Sequence, residues 1–458
     1  MKRENVDCIY AFPLFISNSQ PERITDRKDY IVKKLGAPNV PGITDAELLR
    51  PRVLKYLIEL MDETPPLGER YEELLRGLVF QAYEVANGDL GPNEQEFLNE
   101  IFAYATNTGA MDEFFEDAQI SEILVNGPNQ IFIERHGKLL LTSAKYASEL
   151  QLRLALNHII NPFGRYVNYK HPTVDAHLKD GSRINAVIPP VAQQGTCLSI
   201  RRFLKDKLAV QDLIDKNALT QGMADFVAVC VAARLNVIVA GNTSSGKTTF
   251  LNILARAIPD HERIVTIEDS VELQMMQTHK VSLEARPPDY NGEGQVTIRD
   301  LVKNSLRMRP DRIIVGEIRG GEALDMLQAM NTGHDGSMTT VHSNSPRDTL
   351  SRLETMTLMA GFELPVLAIR KQISAALDLI VYLTRFPDGT RKVTQISEVA
   401  GMESEVITLT DIFQFQQNGT DAEGKPLGQF RPTGLRPMFT PRLEAMGYRL
   451  DRSMFMTR

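Results

Sequence analysis

Val237-Ile238-Val239-Ala240-Gly241-Asn242-Thr243-Ser244-Ser245-Gly246-Lys247-Thr248-Thr249 sets a short apolar run against a loop that satisfies G-x-x-x-x-G-K-[ST] at every specified position. Glycines let the backbone approach an anion, and the loop amides with the following helix N-terminus supply positive dipole. Lys247 adds a point charge and the Thr248 hydroxyl suits magnesium. The strand-like residues before the loop and the amphipathic run after it (Phe250, Leu251, Ile253, Leu254) provide the context such a loop needs. A nucleoside triphosphate is the ligand this chemistry implies. Residues 241–249 are the candidate cofactor-binding set, with Mg2+ as its metal.

Downstream, strand-like and helical patterns alternate. Arg263-Ile264-Val265-Thr266-Ile267-Glu268-Asp269 ends in two carboxylates, a helix opened by Thr297 as a cap with Asp300 three residues on is stopped by Pro310, and Arg312-Ile313-Ile314-Val315-Gly316-Glu317 ends in another. A helix from Gly321, the strand Ser337 to His342 and a helix from Arg347 follow. This alternation predicts an α/β fold, a parallel sheet with helices on both faces and active groups at the strand C-termini. Glu268, Glu317 and His342 fall at such ends. Hydrolysis of a γ-phosphate needs magnesium placed and a water polarised. Either Glu268 or Glu317 can serve as base or as metal ligand with Thr248, and each is equally a possible helix cap or ion pair. His334 and His342 bracket a segment suited to sensing the γ-phosphate. Arg307 and Arg309 precede the Glu317 strand and suit packing or communication between sites. Charge neutralisation calls for arginine, and Arg183, Arg201 and Arg202 of the preceding region are the catalytic candidates; Arg165 lies near them in sequence.

Before the loop, residues 1–40 read as an arm and 41–112 as a helical bundle built on Val53, Leu54, Leu57, Leu75, Leu78, Phe97 and Ile101. From Ile120 the apolar period changes to two, with hairpins around Arg135-His136-Gly137 and Asp180-Gly181, predicting an α+β domain over 113–203. Residues 204–221 are charged and read as a linker, and 416–458 as a C-terminal tail after a domain over 222–415.

Composition narrows the classes. At 458 residues two or three domains are expected. A net charge of −7 argues against a dedicated nucleic-acid binder. Three cysteines, Cys8, Cys197 and Cys230, follow no ligand spacing, so neither a disulfide framework nor zinc is expected. No apolar run approaches the ~20 residues of a membrane span, and no secretory signal is expected.

The ordered motifs resemble the secretion ATPase superfamily of type II secretion, type IV pili and type IV secretion, most closely the CpaF/TadA-type tight-adherence (Flp) pilus assembly ATPases. They are Ser121-Glu122-Ile123-Leu124-Val125-Asn126-Gly127, Asp180-Gly181-Ser182-Arg183-Ile184-Asn185, the phosphate loop, Thr266-Ile267-Glu268-Asp269, Arg307 through Arg319, Thr332-Gly333-His334 and Thr340-Val341-His342-Ser343-Asn344. Thr433-Gly434-Leu435-Arg436-Pro437 looks like the same subgroup. The resemblance implies a PAS-like domain (113–203) hinged to a RecA-like ATPase domain (222–415), assembled as a homo-hexamer with nucleotide sites between the domains and arginines drawn from the first. It implies ATP and Mg2+ as cofactors, a cytoplasmic location peripheral to the inner membrane, and work on a membrane platform protein. Residues 1–110 match no pattern of that family. A nucleic-acid translocase and a nucleotide-gated scaffold are the alternative readings.

Overall fold

A computed structural model describes residues 42–456, apart from 65–67, 136, 204–207, 289–291 and 423. The arm expected over 1–40 lies outside these, as do His136 of the first hairpin turn and the first residues of the expected linker. The chain divides after Arg202 into two compact units.

In the first unit, three helices, Ala46–Glu63, Tyr71–Val85 and Glu94–Ala105, bury Leu49, Val53, Leu57, Leu75 and Ile101 in a common core. Six strands follow: β1 (Ile120–Asn126), β2 (Ile131–Arg135), β3 (Lys138–Leu141), β4 (Thr173–His177), β5 (Arg183–Val187) and β6 (Cys197–Arg201). They form one antiparallel sheet in the order β3-β2-β1-β6-β5-β4. Period-two alternation buries Ile123, Val125, Ile184, Ala186, Leu198 and Ile200 on one face. The helix Glu149–Ile160 covers that face with Leu152 and Leu156, and turns Leu154 into the helical core. The buried Arg153 on this helix donates to Asp62 across 2.7 Å, tying bundle to sheet.

The second unit contains β7 (Val237–Gly241), β8 (Ile264–Glu268), β9 (Lys280–Glu284), β10 (Arg312–Val315), β11 (Met338–His342), β12 (Leu379–Arg385), β13 (Arg391–Glu403), β14 (Val406–Thr420) and β15 (Pro426–Pro432). They make one sheet in the order β15-β14-β13-β12-β7-β11-β10-β8-β9, parallel from β12 to β9 and antiparallel from β12 to β15. All of β7 is buried. Val237 and Val239 join a core with helices Gln221–Ala232 and Lys247–Ala255, while Ile238 and Ala240 face helices Glu322–Asn331, Pro346–Leu358 and Val366–Ala376. Covering both faces is what makes the parallel strands continuous apolar runs.

The helix that opens at Thr297 carries the anticipated cap: the Thr297 Oγ1 accepts from the Asp300 amide at 3.1 Å, and the Thr297 amide donates to Asp300 Oδ2 at 3.0 Å. Residues beyond 415 do not stand apart as a tail. β14 crosses that boundary, β15 extends the sheet, and Leu443, Leu450 and Phe455 are buried in the core that holds Phe226 and Val237. No helix among the described residues is long and apolar enough to cross a membrane.

Candidate functional site

β7 delivers the phosphate loop between two parallel neighbours, β11 and β12. The loop turns at Ser244 (φ +57°) and Gly246 (φ +90°), and Gly246 caps the helix Lys247–Ala255. A left-handed residue at that cap lets the chain enter the helix with its first amides aimed outward. Thr248 and Thr249 lie in its first turn. The Lys247 ammonium donates to the Gly241 and Asn242 carbonyls at 3.1 and 3.0 Å, folding back over the loop. Ser245 is fully buried beneath it, and its hydroxyl has no hydrogen-bond partner. With Thr243 these are the nine residues read from the sequence, and they run from the last residue of β7 through the loop into the first turn of the helix.

The strand-end groups gather beside the loop unequally. His342 closes β11 directly opposite Gly241 of β7. Burial lowers its pKa first, the Lys247 charge adds to the effect, and Glu317 opposes it. The imidazole is therefore held towards its neutral form. Glu317, half-buried, accepts from Arg319 Nη2 at 2.7 Å, and Arg319 also stands 3.8 Å from Asp269. That hydrogen bond raises the Arg319 pKa.

Glu268 is occupied differently. Its Oε1 accepts from the amides of Glu272 and Leu273, both at 2.9 Å, and its side chain is buried. Through Oε1 the carboxylate caps the turn that leaves β8, the helix-cap role that the sequence left open for it. It also explains Gly316, because a Cβ there would come within 2.9 Å of Glu268 Cγ.

Three further candidates sit away from the loop. His334 precedes β11, where the Gly336 and Ser337 amides donate to Asn236 ahead of β7, so it belongs to the opposite end of the strands from His342. Arg307 and Arg309 likewise precede β10.

In the first unit, the sheet face opposite the covering helix carries a charged row. Arg201 pairs directly with Glu122 on one side and Arg183 on the other, and Arg183 with His177. Like charges directly opposed cost stability, and Glu122 on the other side of Arg201 offsets part of that cost. Arg202 does not belong to it. Its guanidinium donates to the carbonyls of Phe114, Phe115 and Asp117 at the end of the helix Asp112–Glu116. These contacts make it a clamp within its own unit.

Magnesium is tested by the donor set. No group of three or more His, Cys, Asp or Glu side chains able to hold a metal occurs among the described residues. Magnesium bound through phosphate oxygens and water, with one or two protein ligands, needs no such cage, and a Thr248 hydroxyl in the first turn after the loop fits that mode.

Sequence reasoning missed Arg391. Its Nε donates to the Ser244 carbonyl at 2.8 Å, across 147 residues of chain. No local pattern carries that contact.

A family model described as Type II/IV secretion system protein matches residues 105–424. A putative conjugal transfer protein of Mycobacterium tuberculosis is 35% identical over 311 residues, covering 67% of this chain and 88% of its own length. The type IV secretion system protein VirB11 of Bartonella henselae is 30% identical over 333 residues, covering 64% of this chain and 91% of its own. Among solved structures, the VirB11 ATPase from the Brucella suis type IV secretion system, crystallised with sulphate, is 28% identical and covers 63% of this chain and 94% of its own, with a TM-score of 0.35, too low to support a structural argument.

Proposed function

The chain belongs to the Type II/IV secretion system protein family, and from that premise we propose a hexameric motor ATPase that powers pilus assembly or retraction, or protein secretion, at the cytoplasmic face of an inner membrane. The observation that carries the hydrolytic part is the meeting of the phosphate loop with His342 and the Glu317–Arg319 pair at one end of the parallel strands. On nucleotide binding, Lys247 exchanges its two carbonyl partners for phosphate oxygens, which are stronger acceptors. Mg2+ would be held by the Thr248 hydroxyl, with Glu317 reaching it through water, and would supply charge neutralisation at the transferring phosphate. Glu317, held in place by Arg319, orients and polarises the attacking water. His342, kept neutral, offers a hydrogen bond to the γ-phosphate and reports its loss to β11.

Arginines donated by a neighbouring subunit complete the site, and the facing pair Arg183 and Arg201 are the residues proposed for that task. The two units correspond in this reading to a PAS-like domain with its helical region and a RecA-like engine, and swinging one against the other pushes a membrane platform protein. The motif order through Pro437 supports a tight-adherence pilus as the machine.

Phosphate release by the purified chain with ATP and Mg2+, alone and with detergent-solubilised platform protein, tests the proposal. Turnover that disappears in Lys247→Ala is expected. A chain that binds ATP but releases no phosphate in either setting contradicts it and leaves a nucleotide-gated scaffold.

A further inference from the structure

The hydrolytic groups lie on one side of the phosphate-loop strand. His342, Glu317, Arg319 and Asp269 all belong to β11, β10, β8 or the turns that leave them, and the sheet order places these strands beyond β7 in one direction only. On the other side of β7 the sheet continues into β12 and β13, which leaves that side of the loop for the nucleoside end of a nucleotide whose γ-phosphate lies among those groups. There the structure puts a second pair of directly opposed arginines. Arg385 ends β12, Arg391 begins β13, and the two are cross-strand partners. That places two guanidinium-bearing side chains at the root of one hairpin.

Both residues touch the loop. The Arg391 Nε donates to the Ser244 carbonyl at 2.8 Å, its Cδ lies 3.4 Å from where a Cβ on Gly246 would stand, and the Arg385 amide donates to Asn242 Oδ1 at 3.4 Å. The single carboxylate in the turn between them, Asp388, accepts from the amide and hydroxyl of Thr390 at 3.0 and 2.8 Å. The hairpin is also stiff at its base. Phe386 packs edge-on against Phe415, Phe415 meets Phe430, and the Lys392 ammonium sits over both of those rings while donating to the Asn217 carbonyl at 2.7 Å. A cationic pair on a rigid hairpin, fastened to the loop backbone, is preorganised for a phosphate.

We propose that the β12–β13 hairpin is the nucleoside-proximal half of the nucleotide site, with Arg391 and Arg385 binding the α-phosphate and the adjoining ribose edge. The proposal rests on the ATPase reading above. It separates two jobs within the site: the loop and Lys247 hold the phosphates distal to the nucleoside, and the hairpin arginines distinguish a nucleotide from inorganic polyphosphate. A nucleotide thereby bridges the loop to the strand that leads into the antiparallel half of the sheet.

Calorimetric titration of the full chain with Mg-ADP and with Mg-pyrophosphate tests this, using wild type, Arg391→Ala, Arg391→Lys and Arg385→Ala, each checked for an unchanged melting temperature. ADP binding is expected to weaken about tenfold in Arg391→Ala, roughly the effect of one charge-assisted contact, with partial recovery in Arg391→Lys. Pyrophosphate affinity should stay within about twofold, since it needs only the loop. Equal losses for both ligands would mean that Arg391 acts by holding the Ser244 turn, and would overturn the assignment. Unchanged ADP affinity in both alanine variants would overturn it too. A wild-type chain that binds neither ligand would instead overturn the nucleotide reading itself, and this inference with it.

Discussion

Arg319 lies 2.7 Å from the Glu317 carboxylate and 3.8 Å from that of Asp269, so one guanidinium links the carboxylates that end two neighbouring strands. Glu317 is only half-buried, and the pair by itself adds little to stability. Its effect is on position. Arg319→Ala should leave the melting temperature within about 1 °C and ATP affinity nearly unchanged while turnover falls about 10- to 100-fold, because Glu317 is no longer aimed at the water. Steady-state phosphate release, separated into kcat and KM, checks this; a loss confined to KM would place Arg319 on the ground-state nucleotide instead.

Arg201 and Arg202 are neighbours in sequence with opposite tasks. Arg202→Ala removes the donors to three backbone carbonyls and should destabilise the first unit by roughly 1–3 kcal/mol, through part-buried acceptors left without partners. Arg201→Ala relieves a like-charge pairing with Arg183, leaves stability unchanged or slightly raised, and abolishes most turnover. Thermal melts and phosphate release on both variants separate the roles. Equal destabilisation by both would remove the case for an anion-facing Arg183–Arg201 pair.

Asp62 gives the first unit a pH dependence. Burial, the largest influence, raises its pKa from 3.8 to about 6 despite the opposing pull of Arg153. Between those values the folded chain binds more protons than the unfolded one, so the contribution is fully present below about pH 4 and is lost as pH rises through 6. Asp62→Asn cannot titrate. Hydrogen-exchange protection of the helix Glu149–Ile160, compared between wild type and Asp62→Asn at matched pH, should favour wild type most at pH 4.5 and progressively less towards pH 7. A wild-type advantage that grows with pH would show that the ion pair outweighs desolvation.

Local signals carried much of this fold. The apolar runs of β7, β8, β10 and β11 read as buried parallel strands because helices cover both faces, and Thr297 with Asp300 announced a helix start that the structure contains. The period-two pattern of β6 held more than was taken from it. Leu198 and Ile200 point inward, which sends Arg201 to the outer face and leaves Arg202, beyond the strand end, to turn towards the helix Asp112–Glu116. Other features had no local signature. Glu268 and Glu317 both end buried strands, and only the amides of Glu272 and Leu273 distinguish the first as a cap. Residues after 415 look like a tail in isolation, since nothing short-range says that β14 and β15 continue a sheet begun at β7. Arg391 meets Ser244 through that same long-range pairing.

The central claim is that Glu317 acts on the water at a phosphate loop that binds ATP without it. Single-turnover phosphate release from Glu317→Gln, measured beside its affinity for Mg-ATP, tests this most directly. ATP affinity within about threefold of wild type and hydrolysis slowed at least ~100-fold is the predicted result. Hydrolysis at the wild-type rate with affinity intact would contradict the account and return the catalytic role to another group.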